Sequence, residues 1–167
     1  MIYTQEVEES RILPLYTGLL MCRCSDDCGD TWSGPAVVRR PQNPWDPAGR
    51  GQLKCMYPMQ NPIRMADGRY CAWFTQAVSP DIIPETELGG MSVPDCRAYF
   101  AIFENISDDP DPEELRVTWL PDDAKGLCLQ PEEPPYTAVE EPFAVQLPNG
   151  WLFTVLRNFR GYIYYTV

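Results

Sequence analysis

The chain of 167 residues has no histidine, and only two of its 13 basic residues, Lys54 and Lys125, are lysines. Without histidine, neither a Ser-His-Asp nor a Cys-His catalytic engine can be assembled from these residues, and the commonest ligand of catalytic zinc is missing. Positive charge is scarce as well. Asp and Glu total 24 and the net charge is −11, a field that repels polyanions, so nucleic acid is not an expected partner. Long apolar runs are lacking. The longest clean one, Gly18-Leu19-Leu20-Met21-Cys22, is strand-sized and far short of the roughly 20 residues that span a bilayer. Helical patterning is lacking too, because 18 prolines cut the chain into short pieces and exclude a helical bundle. The first residues show no basic n-region followed by an apolar stretch and a cleavage site, so no signal peptide is expected within the chain.

What is present fits one soluble globular domain. Hydrophobic residues make up 44% and charged residues 22%, the ordinary balance for a chain that buries a core. Seven cysteines is an odd number. Cys22, Cys24 and Cys28 are spaced C-x-C-x3-C, but three thiols lack a fourth ligand, and Cys22 and Cys24 read as neighbours on one strand face. No metal or organic cofactor is expected, and free buried thiols favour a reducing, cytoplasmic setting. The preference for Arg over Lys reads either as compositional bias or as a need for planar forks that grip carboxylates.

Along the chain, short apolar segments alternate with turns. Strands are expected at Leu13 to Cys24, Ala36 to Arg39, Pro62 to Met65, Arg69 to Thr75, Arg97 to Glu104, Leu115 to Leu120, Phe143 to Leu147, Trp151 to Leu156 and Tyr162 to Val167. Pro- and Gly-rich loops fall at Pro41 to Gly51, Ser79 to Asp95 and Pro121 to Pro135. Two hairpins carry turn signals, Ala66-Asp67-Gly68 and Pro148-Asn149-Gly150. They also align with each other: Ile63 to Phe74 repeats at Val145 to Leu156, an offset of 82 residues. A repeated strand-turn-strand unit points to a propeller or solenoid.

Ser25-Asp26-Asp27-Cys28-Gly29-Asp30-Thr31-Trp32 fits S-x-D-x-G-x-T-W at every fixed position. In such a turn Asp27 accepts from nearby backbone N–H groups, Gly29 permits the tight backbone, and Trp32 is expected to pack back onto the sheet. The motif resembles the Asp-box of the sialidase (neuraminidase) superfamily, the BNR-repeat β-propellers. Toward the other end, Glu141-Pro142-Phe143 leads into the Asn149-Gly150 hairpin and on to Arg157 and Gly161-Tyr162-Ile163-Tyr164, which is similar to a segment of exo-sialidases.

The resemblance implies an all-β fold: a partial sialidase-like propeller of two and a half to three blades of antiparallel strands. It forms a single partial domain over residues 1–167, with the Asp-box at 25–32, a second hairpin unit at 62–75 and a third at 142–157. Ser25, Asp27, Gly29, Thr31 and Trp32 are then structural Asp-box residues. By position, Glu141 is the catalytic carboxylate that polarises a Tyr nucleophile. Arg157 and Arg11 belong to the arginine set that binds the sugar carboxylate, and Arg64 is a weaker match of the same kind. Asp46 is the nearest counterpart of an acid/base Asp. Read without the resemblance, Glu141 is an acid in an acidic stretch and Arg157 a cation that pairs with any nearby carboxylate.

The expected function is that of a fragment of an exo-glycoside hydrolase acting on terminal acidic sugars, inactive alone because the acid/base Asp (Asp46 being only its nearest counterpart), the Tyr nucleophile and the third Arg are not found in it. The alternative is a non-catalytic propeller segment that binds glycan or protein. Secreted and cytosolic relatives share the fold, so the resemblance leaves the compartment open. An unclosed propeller exposes sheet faces and edges. The chain alone should therefore associate with itself or be poorly soluble, and sedimentation velocity across a concentration series should show mass rising with concentration. A monodisperse monomer that unfolds cooperatively would count against an open propeller.

Overall fold

The computed structural model describes residues 1–10, 17–77, 96–108, 111–122, 125–129, 139–158 and 163–167. These residues build antiparallel β-sheets, with single-turn 3-10 helices at Glu8–Ser10, Ile106–Asp108 and Pro112–Glu114. The strands are β1 (Ile2–Gln5), β2 (Thr17–Cys22), β3 (Ala36–Val37), β4 (Leu53–Pro58), β5 (Ile63–Arg64), β6 (Tyr70–Gln76), β7 (Arg97–Phe103), β8 (Val117–Leu120), β9 (Glu140–Gln146), β10 (Leu152–Arg157) and β11 (Ile163–Thr166). One sheet runs in the order β1-β2-β4-β6-β7-β8, with β3 beside β2 and β5 beside β6; the other runs β11-β10-β9. The all-β class is as the sequence indicates. Two strands, β1 and β4, were not expected. In β4, Lys54 breaks the apolar run, yet it is only 2% exposed, for a reason given below.

The centre is the pair β6–β7, joined over seven residue pairs from Tyr70↔Phe103 to Gln76↔Arg97. Alternation sends Ala72, Phe74, Tyr99, Ala101 and Phe103 to one face. There they share a core with Leu20 and Cys22 of β2, Ala36 of β3 and Met56 of β4. Cys71, Trp73, Phe100 and Ile102 point the other way, onto Met65 and onto Ala144 of β9. The first sheet thus folds back over β6–β7, and the second covers their other face. Beyond it, the outer face of the second sheet carries Phe143, Val145, Ile163 and Tyr165, all exposed.

The two hairpins form the same structure. Ile63 pairs with Cys71 and Arg64 with Tyr70; 82 residues on, Val145 pairs with Phe153 and Gln146 with Leu152. In the first turn Met65 N donates to Arg69 O (2.8 Å) and Gly68 N to Met65 O (3.0 Å); in the second Leu147 N donates to Trp151 O (2.7 Å) and Gly150 N to Leu147 O (2.9 Å). Asp67 Oδ1 accepts from Arg69 N at 3.0 Å and Asn149 Oδ1 from Trp151 N at 3.1 Å. Gly68 and Gly150 sit at φ 90° and 88°, where a Cβ is strained. The units also touch, Ala66 N donating to Gln146 Oε1 at 2.7 Å. They differ at the far end: the first breaks between β4 and β5, whereas β9 runs on unbroken.

Lys54 is buried because the loop before β4 brings Asp46 to it, with Nζ to Oδ2 at 2.7 Å. The same carboxylate lies 3.5 Å from Arg40 Nη1 and accepts from Gln76 Nε2 (2.8 Å) and Asn43 N (2.9 Å). Asn43 Nδ2 continues the network to Tyr99 Oη at 2.9 Å, and Arg40 lies over the Tyr99 ring at 4.2 Å. Burial pulls the Lys54 ammonium below its usual value, and the Asp46 hydrogen bond opposes that pull. Asp46 is therefore an anchor held by four partners, not the open acid/base Asp that its sequence position suggested. Replacing it by Ala strands two buried cations, which costs about 3–5 kcal/mol. Urea unfolding of Asp46→Ala should show that loss; a change below about 1 kcal/mol would mean that Lys54 escapes to solvent.

Candidate functional site

The Asp-box forms as its residues require. Ser25 Oγ donates to Asp27 Oδ1 (2.8 Å) and accepts from Gly29 N (2.8 Å). Thr31 N donates to Asp27 Oδ1 (2.9 Å) and Thr31 Oγ1 to Asp27 Oδ2 (2.5 Å). Gly29 adopts φ 98°. The Thr31 hydroxyl, then its N–H, then the Ser25 hydroxyl hold the Asp27 carboxyl far below the usual carboxylate range, because each stabilises the charged form. Trp32 departs from expectation. Its Nε1 donates to Gly29 O at 3.0 Å, its ring lies against Gly29, and it stays 43% exposed. It closes its own turn and does not sink into the sheet, since the indole N–H reaches a carbonyl that lies outside the core.

The second cluster lies at the other end of β6. Thr75, five residues beyond Tyr70, is about 17 Å away along the strand. Its Oγ1 accepts from Glu141 N at 2.9 Å. Between the pairs Val155↔Phe143 and Arg157↔Glu140 the register slips, because three steps on β9 oppose two on β10. The extra residue is accommodated as a bulge, and Glu141 takes φ 49°, a left-handed backbone that costs a non-glycine residue of order 1–3 kcal/mol. The bulge turns two consecutive carboxylates toward one guanidinium. Arg157 Nη1 donates to Glu141 Oε1 at 2.9 Å and lies 3.5 Å from Glu140 Oε2.

The two acids differ in setting. The Glu141 and Arg157 side chains are 43% and 50% exposed, whereas Glu140 is buried and its Oε1 has no hydrogen-bond partner among the described residues. Burial raises the Glu140 carboxyl above its usual 4.5, while a hydrogen bond from Cys96 and the charge of Arg157 pull it back. Tyr57, paired with Thr75 across β4–β6, stands beside this group. Burial, reinforced by Cys96 and Glu140, holds its phenol well above the usual value. An exposed ion pair such as Arg157–Glu141 contributes roughly 0–1 kcal/mol. An incoming carboxylate can therefore displace Glu141 from the Arg157 fork at little cost.

The structure thus joins two of the residues singled out in the sequence, Glu141 and Arg157, and adds Glu140, Tyr57, Thr75 and Cys96. Period-2 counting back from buried Ala144 through Pro142 would have found Glu140, the next residue on the core face. Arg11 lies outside the described residues. Arg64 is exposed and pairs with Tyr70, at the end of β6 remote from Arg157.

Because the Glu140 carboxyl is raised, the folded chain keeps a proton there that the unfolded chain loses near pH 4.5. The stability that this group contributes is full below that point and is lost as pH rises through the folded value. Glu140→Gln removes the loss, so in urea titrations the variant should gain on the wild type as pH rises above about 4.5, until the folded carboxyl is ionised. A flat difference, or one of opposite slope, would show that Arg157 outweighs burial. Comparison of the chain with protein-family models, with curated proteins and with solved structures finds no match.

Proposed function

We propose that the chain is part of a sialidase-like β-propeller and that its Glu141–Arg157 end takes terminal acidic sugars as an exo-glycoside hydrolase site, incomplete and inactive in these residues alone. One observation carries the reading: the β9 bulge sets Glu141 and Glu140 on Arg157, at the end of β6 away from the Asp-box. Arg157 supplies a two-pronged donor for a sugar carboxylate, and the adjacent acids supply negative charge for an oxocarbenium-like transition state. The architecture supports the same reading. The strands β4–β5, β6, β7 and β8 are laid down as an antiparallel meander, the hairpin of the next sheet repeats their register, and the two sheets pack face to face, as blades do. The apolar outer face of β9, β10 and β11 is what a further blade would cover.

Binding without hydrolysis is the second reading. It is favoured by Asp46, the nearest counterpart of an acid/base residue, being buried and fully engaged. Saturation-transfer NMR with the methyl α-ketoside of N-acetylneuraminic acid tests both. The wild-type chain should bind it, Arg157→Ala should weaken binding at least about tenfold, and Glu141→Gln should keep it, since that change removes the exposed competing carboxylate. Binding without release of a fluorogenic aglycone from the corresponding ketoside is expected of this chain under both readings; release after further blades are supplied would favour the enzyme, and none then would favour the second reading. No binding by the wild type, or equal binding by Arg157→Ala, would overturn the proposal.

A further inference from the structure

The Asp-box turn does more than close a strand connection. It forms one wall of a cavity of about 820 Å³ whose other walls are Tyr70, at the start of β6, and Ile106 and Ser107, just after β7. That volume falls within the range of small-molecule sites, roughly 300–1,000 Å³. We propose that this cavity is a second site, separate from Arg157, and that it binds a neutral pyranose of a glycan.

Three features of the lining converge on that chemistry. Trp32 is half exposed, and its only polar atom is already spent on Gly29 O. What it offers a ligand is therefore a fixed apolar ring, the surface on which the C–H face of a sugar stacks. Arg23 and Asp26 line the same cavity. Among the described residues neither side chain makes a hydrogen bond or ion pair, although 24 acids compete for 13 bases in this chain. Arg23 is thus a donor and Asp26 an acceptor left over after the turn has satisfied itself. The turn uses Ser25, Asp27 and Thr31 for its own closure. Vicinal hydroxyls of a pyranose are donors and acceptors at once and can engage Asp26 and Arg23 together. Arg23 and Asp26 are of opposite charge and line the same cavity, so the pair offers hydroxyls a donor and an acceptor without a net charge.

Saturation-transfer NMR on the whole chain tests the assignment, with methyl β-galactopyranoside, methyl α-mannopyranoside and methyl N-acetyl-β-glucosaminide as probes. At least one should receive saturation from the wild-type chain. Trp32→Ala and Asp26→Ala should each weaken that binding about tenfold, and Arg157→Ala should leave it unchanged. Trp32→Ala removes a turn hydrogen bond and risks the local fold. Asp26→Ala touches none of the turn's hydrogen bonds, so its Tm should match the wild type and its result stands alone. No transfer to any of the three glycosides, or transfer that Asp26→Ala retains, overturns the site. Binding of the N-acetylneuraminic acid ketoside that Asp26→Ala strengthens and Arg157→Ala leaves intact would assign the cavity to an anionic sugar and overturn the neutral one.

Discussion

Everything described here hangs from β6, a strand buried on both faces. Its seven pairs with β7 are the longest run of strand pairing among the described residues. A strand with no solvent face must be packed from both sides, and the order of its side chains decides how. Cys71 and Trp73 look toward β9, while Ala72 and Phe74 look toward β2 and β3. On each face a small residue precedes a large aromatic, so each covering sheet can come close at one end and is held off at the other. The polar residues gather at the C-terminal end of β6. Thr75 receives the bulge of β9, and Gln76 donates to Asp46. The N-terminal end, Tyr70, floors the cavity beside the Asp-box. The Glu141–Arg157 cluster and the cavity beside Trp32 are thereby kept apart by the length of one strand.

The bulge at Glu141 is where the structure departs most from local preference. A regular β9 would place Glu140 and Glu141 on opposite faces, and only one could reach Arg157. The extra residue and its left-handed backbone let the exposed Glu141 and the buried Glu140 reach the same cation. The chain spends backbone strain, plus the cost of a buried carboxylate with an oxygen left unpaired, to put two acids on one cation. Such a concentration of unfavourable terms is typical of a site whose geometry serves something other than stability.

Much of this was readable beforehand, and the exceptions have physical reasons. Alternation in Arg97–Phe103 and the Asp67-Gly68 and Asn149-Gly150 turns are local signals, and the strands follow them. The Asp-box closes as its residue types dictate. What sequence could not show is partnership across distance. Lys54 looks like a break in an apolar segment until Asp46, eight residues earlier, is found against it. Trp32 looks like a core aromatic until its N–H finds a carbonyl within the turn. Period-2 counting puts Glu140 on the core face, but its meeting with Arg157 depends on a bulge, which has no signature in composition. The fold was legible through period and turn chemistry, and of the carboxylate site only Glu141 and Arg157 were, through their resemblance to a known order of residues.

The use of arginine in a chain of net charge −11 follows the same logic. A point-charge ammonium would satisfy a carboxylate anywhere on so acidic a surface. Four of the described arginines, Arg40, Arg69, Arg97 and Arg157, instead use the shape of the guanidinium. Arg69 donates Nε and Nη2 to one Asp67 oxygen, at 2.9 and 2.7 Å, and Nη1 to Glu104 at 2.9 Å, tying the first hairpin turn to the end of β7. Arg40 and Arg97 lie over the rings of Tyr99 and Trp45 at 4.2 and 4.0 Å, where a planar cation is buried more cheaply than an ammonium. Arg157 holds two acids from different steps of one bulge. Lys54 is the counter-case: a compact ammonium suits a single oxygen at 2.7 Å, and that is the one buried position that demands nothing else. Planar geometry, more than the sign of the charge, explains where Arg40, Arg69, Arg97 and Arg157 stand in this chain.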